Sequence, residues 1–255
     1  MKTGALIFAF NNEQIDYVSM AQWSAQNIER HLGIPTCIIT DQDVEIVGTN
    51  HRWFSDYATN VVWHNESRAN AYELTPWDQT LVLDADYVVA SDQLQVLLDS
   101  DQDFLAHRWA YDLVDHNDFS GLNFFGRYRM PQWWATVMMF RRSQQAELIF
   151  GMMQMVRDNW GHYKKLYSNN SPSYRNDHAL SIALATVNGH TLNHAGIPWR
   201  LASLTPEHQL TQTSQDEYRV EFINTTNQRR WITVKNQDFH AMGKQQLGEI
   251  VANSC

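Results

Sequence analysis

Hydrophobic and polar positions alternate in blocks through the first forty residues. Residues 4–10 (Gly-Ala-Leu-Ile-Phe-Ala-Phe) are a continuous apolar run, the pattern of a strand buried on both faces in a parallel sheet. A polar turn follows. From about Gln14 to His31 the apolar positions Ile15, Val18, Ala21, Ala25, Ile28 and Leu32 recur every three or four residues, which predicts a helix with one buried face. Gly33-Ile34-Pro35 ends that helix, and a second apolar run, residues 36–40, stops at Asp41. Strand, helix and strand at this spacing open a doubly wound α/β sheet.

Weaker patterns at 44–47 and near 60–63 predict further strands, and 68–74 is helical in character. Residues 80–83 form a third strong buried strand that runs straight into Asp84-Ala85-Asp86. Val88-Val89, a helix over 92–98 and a strand over 103–106 come next. Residues 107–133 are rich in Asp, Asn, Gly, Arg and aromatics without a period, and a stretch that long reads as a functional loop. Residues 134–140 are strand-like. Ser143 caps a helix to about Trp160, with Ala146, Ile149, Phe150, Met153 and Val156 on one face; its methionines read as core filling. After a polar loop over 167–175, Asn176 caps a helix to about Val187. The remainder offers one strand at 231–235, then Asp238-Phe239-His240 and a short helix ending near Ala252. No repeat, low-complexity segment or linker interrupts the 255 residues, so a single domain is expected.

Composition narrows the function classes. The chain is 44% hydrophobic and 18% charged, enough apolar content for a full core. Its formal net charge of -9 leaves no basic footprint for nucleic acid or an anionic membrane surface. The 10 Trp, 10 Tyr and 11 Phe can stack on sugars or bases, although filling a core is their default role. Cys37 and Cys255 make neither a disulfide framework nor a zinc spacing; Cys37 reads as a small buried hydrophobe and Cys255 as a mobile terminal residue. The first apolar run stops at Asn11-Asn12-Glu13 and reads as a strand, not a signal peptide. No stretch approaches the roughly 20 apolar residues of a membrane span, and a cytoplasmic location is expected.

Ligands of open α/β sheets bind at the carboxyl ends of the strands, and three polar sets fall there: Asn11-Asn12, Asp41 and Asp84-Ala85-Asp86. Carboxylates at alternate positions past a strand end can turn toward one hard cation such as Mn²⁺ or Mg²⁺. Such an ion neutralises a diphosphate leaving group. Asp-x-Asp alone is common in surface turns; the buried strand before it is what sets this copy apart.

The segment from Arg68 through Tyr72-Glu73-Leu74-Thr75-Pro76-Trp77 to Leu83-Asp84-Ala85-Asp86 resembles the core block of the glycogenin-like, family 8 glycosyltransferases. Asp177-His178 and His240-Ala241-Met242-Gly243-Lys244 are similar to two further blocks of that family, in the right order. The resemblance implies a GT-A fold: a Rossmann-like nucleotide-binding domain with a mostly parallel mixed sheet flanked by helices. Residues 1–90 would be its nucleotide-binding half, and 91–255 its acceptor half with the C-terminal metal-ligand segment. It also implies metal-dependent hexosyl transfer from a nucleotide sugar, a UDP-sugar, to a sugar or other hydroxyl acceptor, with retention. Carried over residue by residue, Asp84, Asp86 and His240 hold the metal. Lys244 reaches the diphosphate, and Gly243 and Ala85 let backbone approach the donor. Arg68 lies near the donor phosphates or sugar, against the alternative of a solvated helix-end charge. Ala9, Asn11 and Tyr17 fall where the base and ribose are held, although Tyr17 could face the core. Asp41 would meet the base or ribose, or simply end a strand. Asp177 would stand beside the reacting sugar and steady positive charge at the anomeric carbon; its bland alternative is a carboxylate favoured at a helix N-terminus.

Two departures concern the sugar. The family's Asn-Ser-Gly block falls near Trp134-Ala135-Thr136, and its Lys-Pro-Trp ending is replaced by Gln245-Gln246-Leu247. Two other readings stand beside this one. Asp84-Ala85-Asp86-Tyr87-Val88 also fits the motif of haloacid-dehalogenase-type phosphatases, though without the later acidic pair and not on a first strand. The aromatics Trp109, Tyr111, Phe124, Phe125 and Tyr128 could instead form the platform of a non-catalytic carbohydrate-binding protein.

Overall fold

The computed structural model describes residues 1–41, 51–54, 66–167, 171, 173–191 and 194–254. The strands expected at 44–47 and 60–63, and Cys255, lie outside these.

The chain opens with β1 (Thr3–Phe8), α1 (Tyr17–Leu32) and β2 (Thr36–Thr40). Asp16 caps α1 by accepting from the Ser19 N–H, and Gly33 closes it at φ 64°, its own N–H donating to the Glu29 carbonyl. The next strand is β3 (His51–Phe54). The helix expected over 68–74 begins instead as a tighter 3₁₀ turn, Glu66–Asn70, and becomes α-helical in α2 (Ala71–Leu74). Then come β4 (Gln79–Leu83), β5 (Tyr87–Val88), α3 (Gln95–Leu98) and β6 (Phe104–His107). The stretch read as one long loop carries short elements: β7 (Ala110–Asp112), a 3₁₀ turn at Ser120–Leu122, β8 (Phe124–Phe125) and β9 (Met130–Pro131). After β10 (Trp134–Arg141), the single helix expected to Trp160 is two: α4 (Gln144–Asp158), capped by Ser143 as expected, and α5 (Trp160–Leu166). In α6 (Asn176–Val187) Asn176 lies inside the helix, and Arg175 occupies the cap position without a capping hydrogen bond from its side chain. The remainder holds five strands where one was expected: β11 (Leu201–Leu204), β12 (Gln209–Ser214), β13 (Glu217–Ile223), β14 (Arg229–Lys235) and β15 (Phe239–Ala241), followed by α7 (Lys244–Ala252).

The main sheet has the order β3-β2-β1-β4-β10-β6. Its first four strands are parallel, and β10 runs antiparallel between β4 and β6. This is the mostly parallel mixed sheet flanked by helices expected of a GT-A fold. The apolar run of β1 has a direct cause in its two faces. Ala5, Ile7 and Ala9 belong to the cluster that α1 and α7 cover, while Leu6, Phe8 and Phe10 belong to the cluster covered by α4 and α6. Cys37 is fully buried in the second cluster, and burial pushes its thiol up to about 12.

A second sheet, β5-β15-β11-β7, joins the residues after β4 to the C-terminal segment. A third, β12-β13-β14, sends Leu210, Tyr218, Val220 and Val234 into the same core as α1. Among the described residues no helix is long and apolar enough to cross a membrane.

Candidate metal and donor site

The parallel strand β4 delivers Asp84 to its carboxyl end, where the chain turns. The Asp84 N–H donates to the Thr136 carbonyl at 3.0 Å and the Tyr87 N–H returns to the Asp84 carbonyl at 3.0 Å. This turn aims the two carboxylates together, and β5 then pairs antiparallel with β15, setting His240 opposite Tyr87. The Ala241 N–H donates to the Asp86 carbonyl at 2.9 Å, so backbone bonds fix the approach of the C-terminal segment. As a result one ligand atom each from Asp84, Asp86 and His240 lies within 4.8 Å of the others.

The site's charges are nearly balanced. Arg68, itself buried, pairs with Asp84 and also donates to the Ala135 carbonyl at 3.1 Å. Asp86 Oδ2 lies 3.4 Å from His240 Nε2 and 3.3 Å from Lys244 Nζ. Those contacts are ionic more than well-formed hydrogen bonds, and among the described residues the buried Oδ2 has no hydrogen-bond partner. Burial alone would raise Asp86, but the His240 and Lys244 charges outweigh it and hold the carboxyl well below its usual range. Burial pushes Asp84 upward in spite of Arg68. Burial would lower His240, yet Asp86 raises it; Lys244 is raised chiefly by Asp86.

These groups stand on the wall of a cavity of about 620 Å³ at the carboxyl ends of β1 and β4. Of the residues expected from sequence, Tyr17, Arg68, Asp84, Ala85, Asp86, Asp177, His240 and Lys244 line it. Tyr17 sits with Lys244 Nζ 5.5 Å above its ring. Others are placed elsewhere. Asn11 is engaged in the start of α1: its amide donates to Asp16 and its carbonyl oxygen accepts from the Val18 N–H, both at 2.9 Å. Its neighbour Asn12 lines the cavity instead. Ala9 is fully buried with its N–H on the Ile39 carbonyl, and Asp41 and Gly243 do not line the cavity. Gly243 takes φ -78°, and an added Cβ would meet neighbours no closer than 3.6 Å, so the protein's own packing does not require glycine there.

Asp177, in the first turn of α6, has both oxygens engaged. Oδ1 accepts from the Ala135 N–H and Oδ2 pairs with Arg175, each at 2.9 Å. Ala135 stands in the block where the family motif departs, and it acts here through its backbone: its carbonyl holds Arg68 while its N–H holds Asp177. Arg175, Thr136 and Trp134 line the cavity and were not foreseen. A lone arginine in a polar loop gives no periodic signal, although its place two residues before Asp177 is a hint in hindsight.

No protein-family model and no curated protein sequence matches the chain. Among solved structures it is similar to the glycosyltransferase GlyE of Streptococcus pneumoniae TIGR4, at 12% identity over 78% of this chain and 46% of GlyE, with a TM-score of 0.46. The chain thus spans less than half the length of GlyE. It is also similar to the galactosyltransferase LgtC in complex with donor and acceptor sugar analogs, at 17% identity over 71% of this chain and 70% of LgtC, with a TM-score of 0.45. An active-site mutant of LgtC gives 15% identity, 70% and 69% coverage and a TM-score of 0.47.

Proposed function

We propose that this protein is a glycosyltransferase that moves a hexose from a nucleotide sugar, a UDP-sugar, to a hydroxyl acceptor with retention. The observation that carries the reading is the convergence of Asp84, Asp86 and His240, with Lys244 beside them, on a cavity at the carboxyl ends of parallel strands. We read residues 1–255 as one domain because β1, α1, β4, β15 and α7 contribute to one core.

The residues fit a divalent cation. Asp86 Oδ2 is a buried oxygen without a hydrogen-bond partner, and two carboxylates with one imidazole are donors that Mn²⁺ accepts, more readily than Mg²⁺. Held by these three side chains, the ion would neutralise charge developing on the leaving diphosphate. Lys244 adds a mobile point charge to the same phosphate wall. Arg68 orients Asp84. Asp177 faces the cavity with both oxygens tethered, so it acts as a fixed negative charge beside the anomeric carbon and not as a free nucleophile. That role accords with departure and attack on one face. The acceptor enters through an adjoining cleft of about 700 Å³, which carries Phe124 and Arg127 and shares Arg175 with the donor cavity.

Calorimetry with UDP, with and without Mn²⁺, tests this reading. Asp86→Ala and His240→Ala should each abolish the Mn²⁺-dependent part of UDP binding; unchanged binding in both would refute the site. A screen of nucleotide sugars for Mn²⁺-dependent hydrolysis then identifies the donor.

A further inference from the structure

A second cavity, of about 370 Å³, shares no lining residue with the donor cavity. His107 at the end of β6, Tyr111 on β7, Trp199 and Arg200 ahead of β11, and Gln237-Asp238 ahead of β15 line it.

Two of these groups are buried with polar atoms unmet. His107 is fully buried, and among the described residues neither of its ring nitrogens has a hydrogen-bond partner. Asp238 is 3% exposed; its Oδ1 accepts from the Ala90 N–H at 2.8 Å and the Ser91 hydroxyl at 2.9 Å, while among the described residues no group donates to Oδ2. Buried polar atoms are rarely left this way without a role. The surrounding side chains are fixed. The Gln237 amide donates to the Tyr111 hydroxyl at 3.0 Å, the Arg200 guanidinium lies 4.5 Å over the Tyr111 ring, and Arg200 pairs with Asp118 at 2.6 Å. Trp199 is half-buried and meets His107 edge to face, ring centroids 6.3 Å apart.

We propose that this cavity is a binding subsite for an uncharged saccharide unit, whose hydroxyls meet His107 and Asp238 Oδ2 while an apolar face of its ring rests on Trp199. A neutral imidazole offers one donor and one acceptor, and the carboxylate oxygen only accepts. A pair of adjacent hydroxyls supplies both complements. Burial pushes His107 down to about 3, so it carries no charge at neutral pH. Arg200, the one arginine lining the cavity among the described residues, already pairs with Asp118, and that pairing competes with a phosphate or sugar acid for its guanidinium. The volume is at the small end of ligand pockets and suits one or two sugar units.

The test is a titration of the whole chain with methyl glucoside, methyl galactoside, methyl mannoside and maltose, following the backbone amides of Leu201 and Ala202 by NMR. Saturable shifts are expected with at least one of them, untouched by UDP and Mn²⁺, and weakened about tenfold or more in Trp199→Ala and in His107→Phe. Methyl glucuronoside should bind more weakly than the matching neutral glycoside. The proposal is overturned by no saturable shift up to about 50 mM sugar, by equal affinity in both variants, by displacement with UDP, or by equal binding of the glucuronoside. The wild-type titration decides the matter even where a variant does not fold. Because it needs no nucleotide, its failure is distinct from failure of the transferase reading.

Discussion

Ala135 has no side-chain chemistry, yet its peptide group holds two charged residues of the site, Arg68 through the carbonyl and Asp177 through the N–H. This bears on how Asp177 should respond to substitution. Asp177→Asn keeps an oxygen for the Ala135 N–H and removes the charge. Turnover should fall about 100-fold or more, as for loss of a preorganised electrostatic group, while the Kd for UDP with Mn²⁺ stays within a factor of about two. Single-turnover rates beside calorimetry separate the two effects, and an unchanged rate would remove Asp177 from the reaction. At this scale the sequence was most legible where a motif joined a strand end: Asp84 and Asp86, far in the chain from His240 and Lys244, stand side by side with them in the structure. It was least legible where polar side chains serve the backbone. Asn11 is consumed by the start of α1, and nothing in Asn11-Asn12 tells which of the two will face the cavity.

Elements were readable in proportion to their burial. Strands β1, β2, β4 and β10, buried along nearly their whole length, show as apolar runs. By contrast β12 reads Gln-Leu-Thr-Gln-Thr-Ser with Leu210 as its buried position, and β13 buries Tyr218 and Val220 between charged residues. One face of that sheet meets solvent, so the apolar signal is thin and charged side chains mask it. Close packing of the buried strands also gives a prediction. A Cβ at Gly4 would stand 2.3 Å from the Trp77 ring, whose indole N–H donates to the Ala5 carbonyl. Strand β1 is hydrogen-bonded on both sides, to β2 and β4, and has little room to shift. Gly4→Ala should therefore destabilise the protein by about 2 kcal/mol or more through overpacking. Urea denaturation would register it as a lower midpoint with an unchanged slope.

For the molecule as a whole, three histidines lower stability as the pH falls, and they outnumber Asp238, which burial raises to about 6 and which acts in the opposite sense. Burial lowers His107 to about 3, and His178 and His194 to about 4. In the unfolded chain the same rings take up a proton near 6.5. Below that pH the unfolded state therefore binds protons that the folded state refuses, so stability present above about 6.5 is lost as the pH falls toward 4. His107, without exposed surface, should contribute about 1 kcal/mol per pH unit in this window. Denaturation midpoints measured between about pH 7 and about pH 5 should fall, and His194→Phe, which keeps a ring between Phe104 and Trp133, should flatten the slope. A midpoint flat across that range would exclude the buried rings as its cause.

The pairing of β5 with β15 has a consequence for the order in which the protein is made. A ribosome releases Asp84 and Asp86 long before His240, which follows Asp86 by 154 positions. Strands β1, β2 and β4 can assemble around α1 while the chain is still growing, because their partners are already present. The cluster of Asp84, Asp86 and His240 cannot, since His240 and the bond from the Ala241 N–H to the Asp86 carbonyl come from a segment made long after β4. A nascent chain stalled before residue 239 would thus hold β1, β2 and β4 without the Asp84, Asp86 and His240 cluster, so any grip of that cluster on a cation waits for the segment that carries β15.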